Sequence, residues 1–249
     1  MSIQQSLPIQ NRLLRLLPRA ELSLFSPHLK AIELPKGFLI APAGGAIEFV
    51  YFPDKGIGSI VAISPDGNKA EAGLFGRDGF SPVQAAVGSD TSPHEILMQV
   101  GGSGHRMAVG AFREAMVRSP PFAHILACYA QALATQVTFT ALSNATHGCE
   151  ERMARWLLMC HDRIDGDEMH LTHDYIAVML AVRRPTVTTA LHVLEGNGFI
   201  RSERSRVIIR NRSKLEEFAR DAYGKAEEEY ERLLGGHTEM RSNVVPLSG

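Results

Sequence analysis

The sequence predicts an α+β chain: an N-terminal β jelly roll, a long helix that would serve dimerisation, and a C-terminal winged helix-turn-helix. Three observations carry this reading. Fourteen of the 22 glycines lie between Gly37 and Gly110, set among short apolar runs. Residues 122–147 contain neither glycine nor proline. Residues 171–210 read as two short helices and a hairpin, rich in arginine. With 249 residues, 45% of them hydrophobic and 21% charged, the chain can form two cores and is not of disordered composition.

The elements follow in order. Leu13, Leu14, Leu16 and Leu17, then Leu22, Leu24, Phe25 and Leu29, recur at roughly helical spacing and predict one or two lead-in helices that cover the edge of the next unit. From residue 36 to about 110, short strands such as Phe49-Val50-Tyr51-Phe52 and Ser59-Ile60-Val61-Ala62-Ile63 alternate with turns. Pro65-Asp66-Gly67-Asn68 is the clearest of these turns. Many short strands of this kind predict a β-sandwich or jelly roll. After Pro120-Pro121, the positions Phe122, Leu126, Tyr129, Leu133, Gln136, Thr140, Ser143 and His147 follow a heptad alternation. Such a stripe fits an amphipathic helix lying on the sandwich. Periodicity alone leaves this open; a dimerisation helix with Phe122, Leu126, Tyr129 and Leu133 at its seam is what the family resemblance given below implies, and is the reading adopted. A hinge is expected near His147-Gly148. The resulting division is 1–118, 119–147, 148–213 and a helical extension with a loose tail over 214–249.

In the C-terminal third, Thr172 is placed to cap a helix ending near Leu180, with Asp174 in its first turn where the dipole favours negative charge. After three residues, Pro185 falls where a second helix should start, since its missing N–H costs nothing there, and Gly196 and Gly198 supply the stop. At about 100° per residue, Val187, Ala190, Leu191 and Leu194 form one arc, and Arg184, Pro185, Thr188, Thr189 and His192 another. The second arc, with Arg183 and Thr186 at the helix start, is the expected surface for base edges. The fork of an arginine matches guanine O6 and N7, and a threonine can exchange a hydrogen bond or touch a thymine methyl. Phe199–Glu203 and Arg206–Arg210 predict a hairpin wing turning at Arg204-Ser205. From Arg183 to Lys214 there are eight cations, Arg201, Arg204 and Arg206 among them, against Glu195 and Glu203. That excess is hidden in a chain of net charge -1 and would attract phosphates.

Leu171-Thr172, Ile176-Ala177, the run Met179–Arg184, Val187-Thr188, Leu194 and Gly198-Phe199-Ile200 resemble the C-terminal winged helix of the Crp/Fnr family of bacterial transcription regulators. The resemblance implies a sequence-specific regulator that binds double-stranded DNA as a homodimer on a near-palindromic site and works with RNA polymerase. It further implies a cyclic-nucleotide-binding-like jelly roll open to a small-molecule effector. Two departures matter. Pro185 stands where better-known members carry a base-contacting glutamate, so the half-site sequence should differ. The segment Gly79–Gly88 holds no carboxylate for a ribose, and no lysine or arginine lies between Arg77 and Arg106 to hold a phosphate.

Other chemistries find little support. Cys128, Cys149 and Cys160 are too few for a four-cysteine iron–sulfur cluster, and on one helix Cys149 and Cys160 would stand about 16 Å apart, so no metal or cofactor is expected. There is no Gly-x-Ser-x-Gly, His-Glu-x-x-His or Walker-type loop. The rival reading, a small-molecule-binding or enzymatic β-barrel whose helical end serves association only, thus lacks chemistry. No apolar run approaches the length of a membrane span and no signal sequence is evident, so a cytoplasmic protein is expected.

Overall fold

A computed structural model describes residues 9–235; the tail expected after Gly236 lies outside the described residues. Strands β1 (Lys30–Leu34), β2 (Leu39–Ala41), β3 (Phe49–Pro53), β4 (Ile57–Ile63), β5 (Lys69–Phe75), β6 (Glu95–Val100) and β7 (Gly102–Ala108) form two antiparallel sheets. Their orders are β1-β7-β3 and β2-β6-β4-β5. The expected turn joins β4 to β5, with Gly67 at φ +83 in the left-handed region that glycine enters without strain. Strand β4 is apolar on both faces because both are covered. Its residue Ile60 points into the sandwich with Phe75 and Ile96, whereas Ile57 and Val61 point out into a second core built by the C-terminal half.

Phenylalanines fill the inside of the sandwich. Phe52 lies 5.8 Å from Phe80 and 6.3 Å from Phe122, and Phe112 lies 5.8 Å from both Phe80 and Phe122 (ring centroids). The lead-in helices α1 (Arg12–Leu16) and α2 (Arg19–Phe25) close this core with Leu13, Leu14, Leu17 and Phe25. Asn11 fastens them: its side chain caps α1 and donates to the carbonyls of Pro53 and Gly79.

Helix α3 (Val109–Arg118) leads to α4 (Pro120–Thr146), whose start is capped by the Ser119 hydroxyl accepting from the Phe122 amide. Here the seam predicted from sequence must be corrected. Phe122, Leu126, Tyr129 and Leu133 are all buried in this chain's own sandwich core and offer nothing to a second chain. The other face of α4 is exposed. It carries His124, Ala127, Gln131, Ala134, Thr138 and Ala141, which also alternate by three and four. The membrane expectation needs correcting too. Helix α4 has no charged residue and, by length and composition, is long and apolar enough to cross a membrane, although it is partly buried against the sandwich.

Helix α4 ends at the expected break, His147-Gly148, and α5 (Cys149–His161) begins the C-terminal half. Met153, Trp156, Leu157 and Cys160 of α5 share a core with Ile176, Leu191 and Leu194, and also with Leu74 of β5. Beyond the wing, α8 (Arg212–Ala219) adds Leu215 and Ala219 to this core, past the boundary expected at 213. Helix α9 (Lys225–Leu234) instead runs back along α4, and its Leu234 joins the sandwich core.

The two halves meet around buried polar groups. Glu71 on β5 is 6% exposed and accepts hydrogen bonds from the Ser59 hydroxyl and, at 2.8 Å, from Trp156 Nε1. Burial raises its pKa to about 7, against the pull of those hydrogen bonds and of Arg155 and Arg163. A folded-state pKa above the ordinary 4.5 means that the folded protein holds the extra proton. Its stabilisation is complete below 4.5 and is lost as pH rises through about 7. The thermal midpoint should therefore fall across that window, and Glu71→Gln should flatten this part of the profile. An unchanged slope in the variant would refute the assignment.

Candidate nucleic-acid interface

The surface for DNA is built from α6 (His173–Met179), α7 (Arg184–Gly196) and the hairpin of β9 (Ile200–Glu203) and β10 (Arg206–Ile209). Thr172 caps α6 as expected, its hydroxyl accepting from the Tyr175 amide. In the turn that follows, Ala181 takes φ +50, a left-handed conformation that costs a non-glycine residue about 1–2 kcal/mol. Helix α7 starts at Arg184 with Pro185 in its first turn. Val187, Ala190, Leu191 and Leu194 are buried, the arc assigned to the core. Arg183, Arg184, Pro185, Thr186, Thr189 and His192 are exposed, and Thr188 is half-buried against His173, with Nδ1 to Oγ1 at 3.0 Å.

Arg184 keeps 65% of its side-chain exposure and sits 3.4 Å from Asp174. Between exposed groups such a pair contributes roughly 0–1 kcal/mol, so a phosphate or a guanine can displace the carboxylate at little cost. The wing turns at Arg204-Ser205, with Ser205 at φ +59, which explains how the hairpin closes without glycine. A third strand, β8 (Glu168–Met169), pairs with β10 and was not foreseen in the sequence.

The cation count also changes. Arg212 is drawn away from the surface by Asp162, Glu216 and the Tyr223 hydroxyl, where it ties α8 to the end of α5. Arg206 is held by Glu168 and Glu203, and Glu203 also pairs with Arg201 at 2.8 Å. Among the described residues, Arg183, Arg204, Arg210 and Lys214 have no carboxylate partner and form the open part of the patch. No group of three or more His, Cys, Asp or Glu side chains converges among the described residues. His94 lies beside Gln84, and His105 Nδ1 is 3.0 Å from buried Asp54, so the two histidines are committed to separate partners.

A recognition-type helix with an exposed basic end, followed by a three-stranded wing and preceded by a β sandwich and a long helix, defines a winged-helix DNA-binding regulator. Residues 151–218 match the model of the Crp-like helix-turn-helix domain. The fold is similar to that of FixK2 from Bradyrhizobium japonicum, with 17% identity, a TM-score of 0.66, and coverage of 77% of this chain and 98% of that one. It is also similar to TTHB099, a CRP-family transcriptional regulator from Thermus thermophilus, with 20% identity, a TM-score of 0.61, and coverage of 76% and 96%. A third similar structure is the c-di-GMP-responsive global regulator CLP from Xanthomonas campestris, with 16% identity, a TM-score of 0.61, and coverage of 77% and 99%. No curated protein matches the chain in sequence. Residues 151–218 are thus a Crp-like helix-turn-helix domain, a DNA-binding unit, carried in a chain whose fold is similar to those of CRP- and FNR-type transcription regulators.

The cap fixes the approach of α6 to α7. Thr172→Ala should cost about 1 kcal/mol of stability, read as a lowered urea midpoint, while Thr172→Asp should retain most of it. Equal midpoints for wild type and Thr172→Ala would show that the cap contributes nothing.

Proposed function

We propose that the protein regulates transcription as a homodimer that inserts two α7 helices into successive major grooves of a near-palindromic site, roughly 34 Å apart. The observation that carries this reading is the outward arc of α7, with Arg184 at its exposed N-terminal end. Arg183, Arg184, Pro185, Thr186, Thr188, Thr189 and His192 meet the groove, and Arg201, Arg204 and Arg206 bring the wing to the backbone. Arg204 is free to take a phosphate, whereas Arg206 mainly holds the wing in shape. The target is double-stranded DNA in the cytoplasm, with RNA polymerase as the further partner. An effector acting on the sensor half would modulate binding.

The exposed face of α4 supports the dimer. A heptad of small uncharged residues, Ala127, Ala134 and Ala141 at one position with Gln131 and Thr138 at the other, lets two helix backbones approach closely without burying a charge. Ala134→Glu would place two carboxylates at the seam. It should convert the dimer to monomer in sedimentation and weaken binding to a two-half-site duplex far more than to a single half-site. Leu126→Ala, on the inner face, should instead cost about 2–5 kcal/mol of stability and leave the monomer–dimer balance unchanged. A fully dimeric Ala134→Glu protein would reject this seam.

Titrations against cognate and random duplex test the recognition surface. Arg184→Ala should cost on the order of 1–3 kcal/mol on the cognate site and relax its preference, and Arg204→Ala should weaken all duplexes alike and reduce the salt slope by about one. Equal losses on both duplexes for both variants would overturn this division of roles.

A further inference from the structure

Helix α7 presents two adjacent threonines, and their hydroxyls are held differently. The Thr188 hydroxyl donates its one proton to the Arg184 carbonyl at 3.3 Å, and its oxygen lies 3.0 Å from Nδ1 of His173, the first residue of α6. The Thr189 hydroxyl donates to the Pro185 carbonyl at 3.2 Å, and its oxygen meets no other partner among the described residues. Thr188 is half-buried and Thr189 is exposed.

With the Thr188 proton on the Arg184 carbonyl, the contact with His173 requires Nδ1 to be the donor, so a neutral ring there carries its proton on Nδ1. One partner of the Thr188 oxygen is on its own helix and the other is on α6. The oxygen is therefore turned to the seam between the two helices, and the methyl is the branch left for the groove. The residues beside His173 serve the same surface: Thr172 caps α6 and fixes its start, and Asp174 lies 3.4 Å from Arg184. Three consecutive residues thus set the start of one helix and engage two readers on the next.

We propose that His173 positions the reading face of α7: by holding the Thr188 hydroxyl it restricts Thr188 to a methyl contact and leaves Thr189 as the hydroxyl that reads a base. That role rests on the DNA-binding reading above. Because the Thr189 proton is committed to Pro185, its oxygen can only accept, and the base donors open in the major groove are N6 of adenine and N4 of cytosine. A methyl at Thr188 favours the C5 methyl of thymine. The half-site therefore combines a guanine for the Arg184 fork, a base amine for Thr189 and a thymine methyl for Thr188. Without His173 the Thr188 hydroxyl is released toward the groove, and selection at its base pair broadens. A hydrogen bond that only held α6 against α7 would weaken every duplex alike when lost, whereas positioning changes the preference among bases.

The test uses the full chain and a duplex that the wild type selects from a randomised pool, followed by every single base-pair change in one half-site. Thr189→Val should lose its preference for a base amine at one base pair by about two- to tenfold. Thr188→Val, which keeps a methyl in place, should leave every preference within about twofold. His173→Ala should flatten the preference at a second base pair, and His173→Asn, whose amide nitrogen stands close to the place of Nδ1, should restore it. In the Thr188→Val background His173→Ala should change no preference, since the hydroxyl it acts on is gone. Imidazole nitrogen shifts of the free protein report the pair without DNA and should show His173 protonated on Nδ1. A proton on Nε2 alone, a loss of preference in Thr188→Val as large as in Thr189→Val, or an equal loss on all duplexes in His173→Ala would each overturn the positioning role and leave the regulator reading standing. A pool from which no sequence is enriched would refute the regulator reading and this role with it.

Discussion

The joint between the two halves is pinned at one point by a buried ion pair, Arg163 with Asp78, whose side chains are 7% and 9% exposed. Burial works against the charge on Arg163, but Asp78, Asp162, Tyr129 and Glu227 together hold it more firmly protonated than an ordinary arginine. Its guanidinium also donates to the Met159 carbonyl, and Asp78 accepts from the Gly76 amide through its carboxylate and from the Tyr230 hydroxyl through its backbone carbonyl. Such a pair adds little net stability relative to an apolar contact, yet removing either partner strands a charge at a cost of about 3–5 kcal/mol. Its value therefore lies in geometry. It fixes one way for the end of α5 to sit against the loop after β5, and it ties α9 to the same point.

Helix α4 shows how apolar stripes are divided in such a chain. Two heptad alternations run along it, one of large residues and one of small. Burial contributes about 25 cal/mol for each Å² of apolar surface, so Phe122, Leu126, Tyr129 and Leu133 go to the nearest core, which is the chain's own. The small stripe, Ala127, Ala134 and Ala141, is left outside. Sequence reasoning assigns the larger stripe to the seam because periodicity reports that a face is apolar and not which body covers it.

Local signals were legible for the same reason that this one was not. The Thr172 cap, Pro185 in the first turn of α7, the turn at Gly67 and the break at His147-Gly148 are each decided within a few residues of chain, and the structure has them all. The outward arc of α7 was readable because its core arc is unambiguous. What the sequence hid is non-local. Strand β8 is two residues long and exists only because Val207 and Ile208 offer a partner. Arg212 counts as a free cation until Asp162, fifty positions earlier, is brought beside it. Glu71 stands in a strand of mixed polarity, and only the packing of Trp156 and Tyr175 against it reveals a buried carboxyl.

These contacts bear on how the recognition surface can be controlled. The core and Tyr175 of α6 fasten the helix-turn-helix to the outer face of the β4–β5–β6 sheet, with Ser59 linking Glu71 to the Tyr175 hydroxyl and Gln99 reaching Met179. Helix α7 makes its own core contacts within the C-terminal half and leaves its polar arc free. A change at the joint would therefore alter where α7 points without altering what α7 presents. On the proposed function, affinity for an isolated half-site would be set by the arc itself, whereas affinity for two half-sites in fixed register would also depend on the joint. A rigid-body shift of the sort packed interfaces permit would act on the second quantity and spare the first. On the proposed function, selectivity among bases and responsiveness to a signal would be carried by different residues, and Pro185 could redirect the one without disturbing the other.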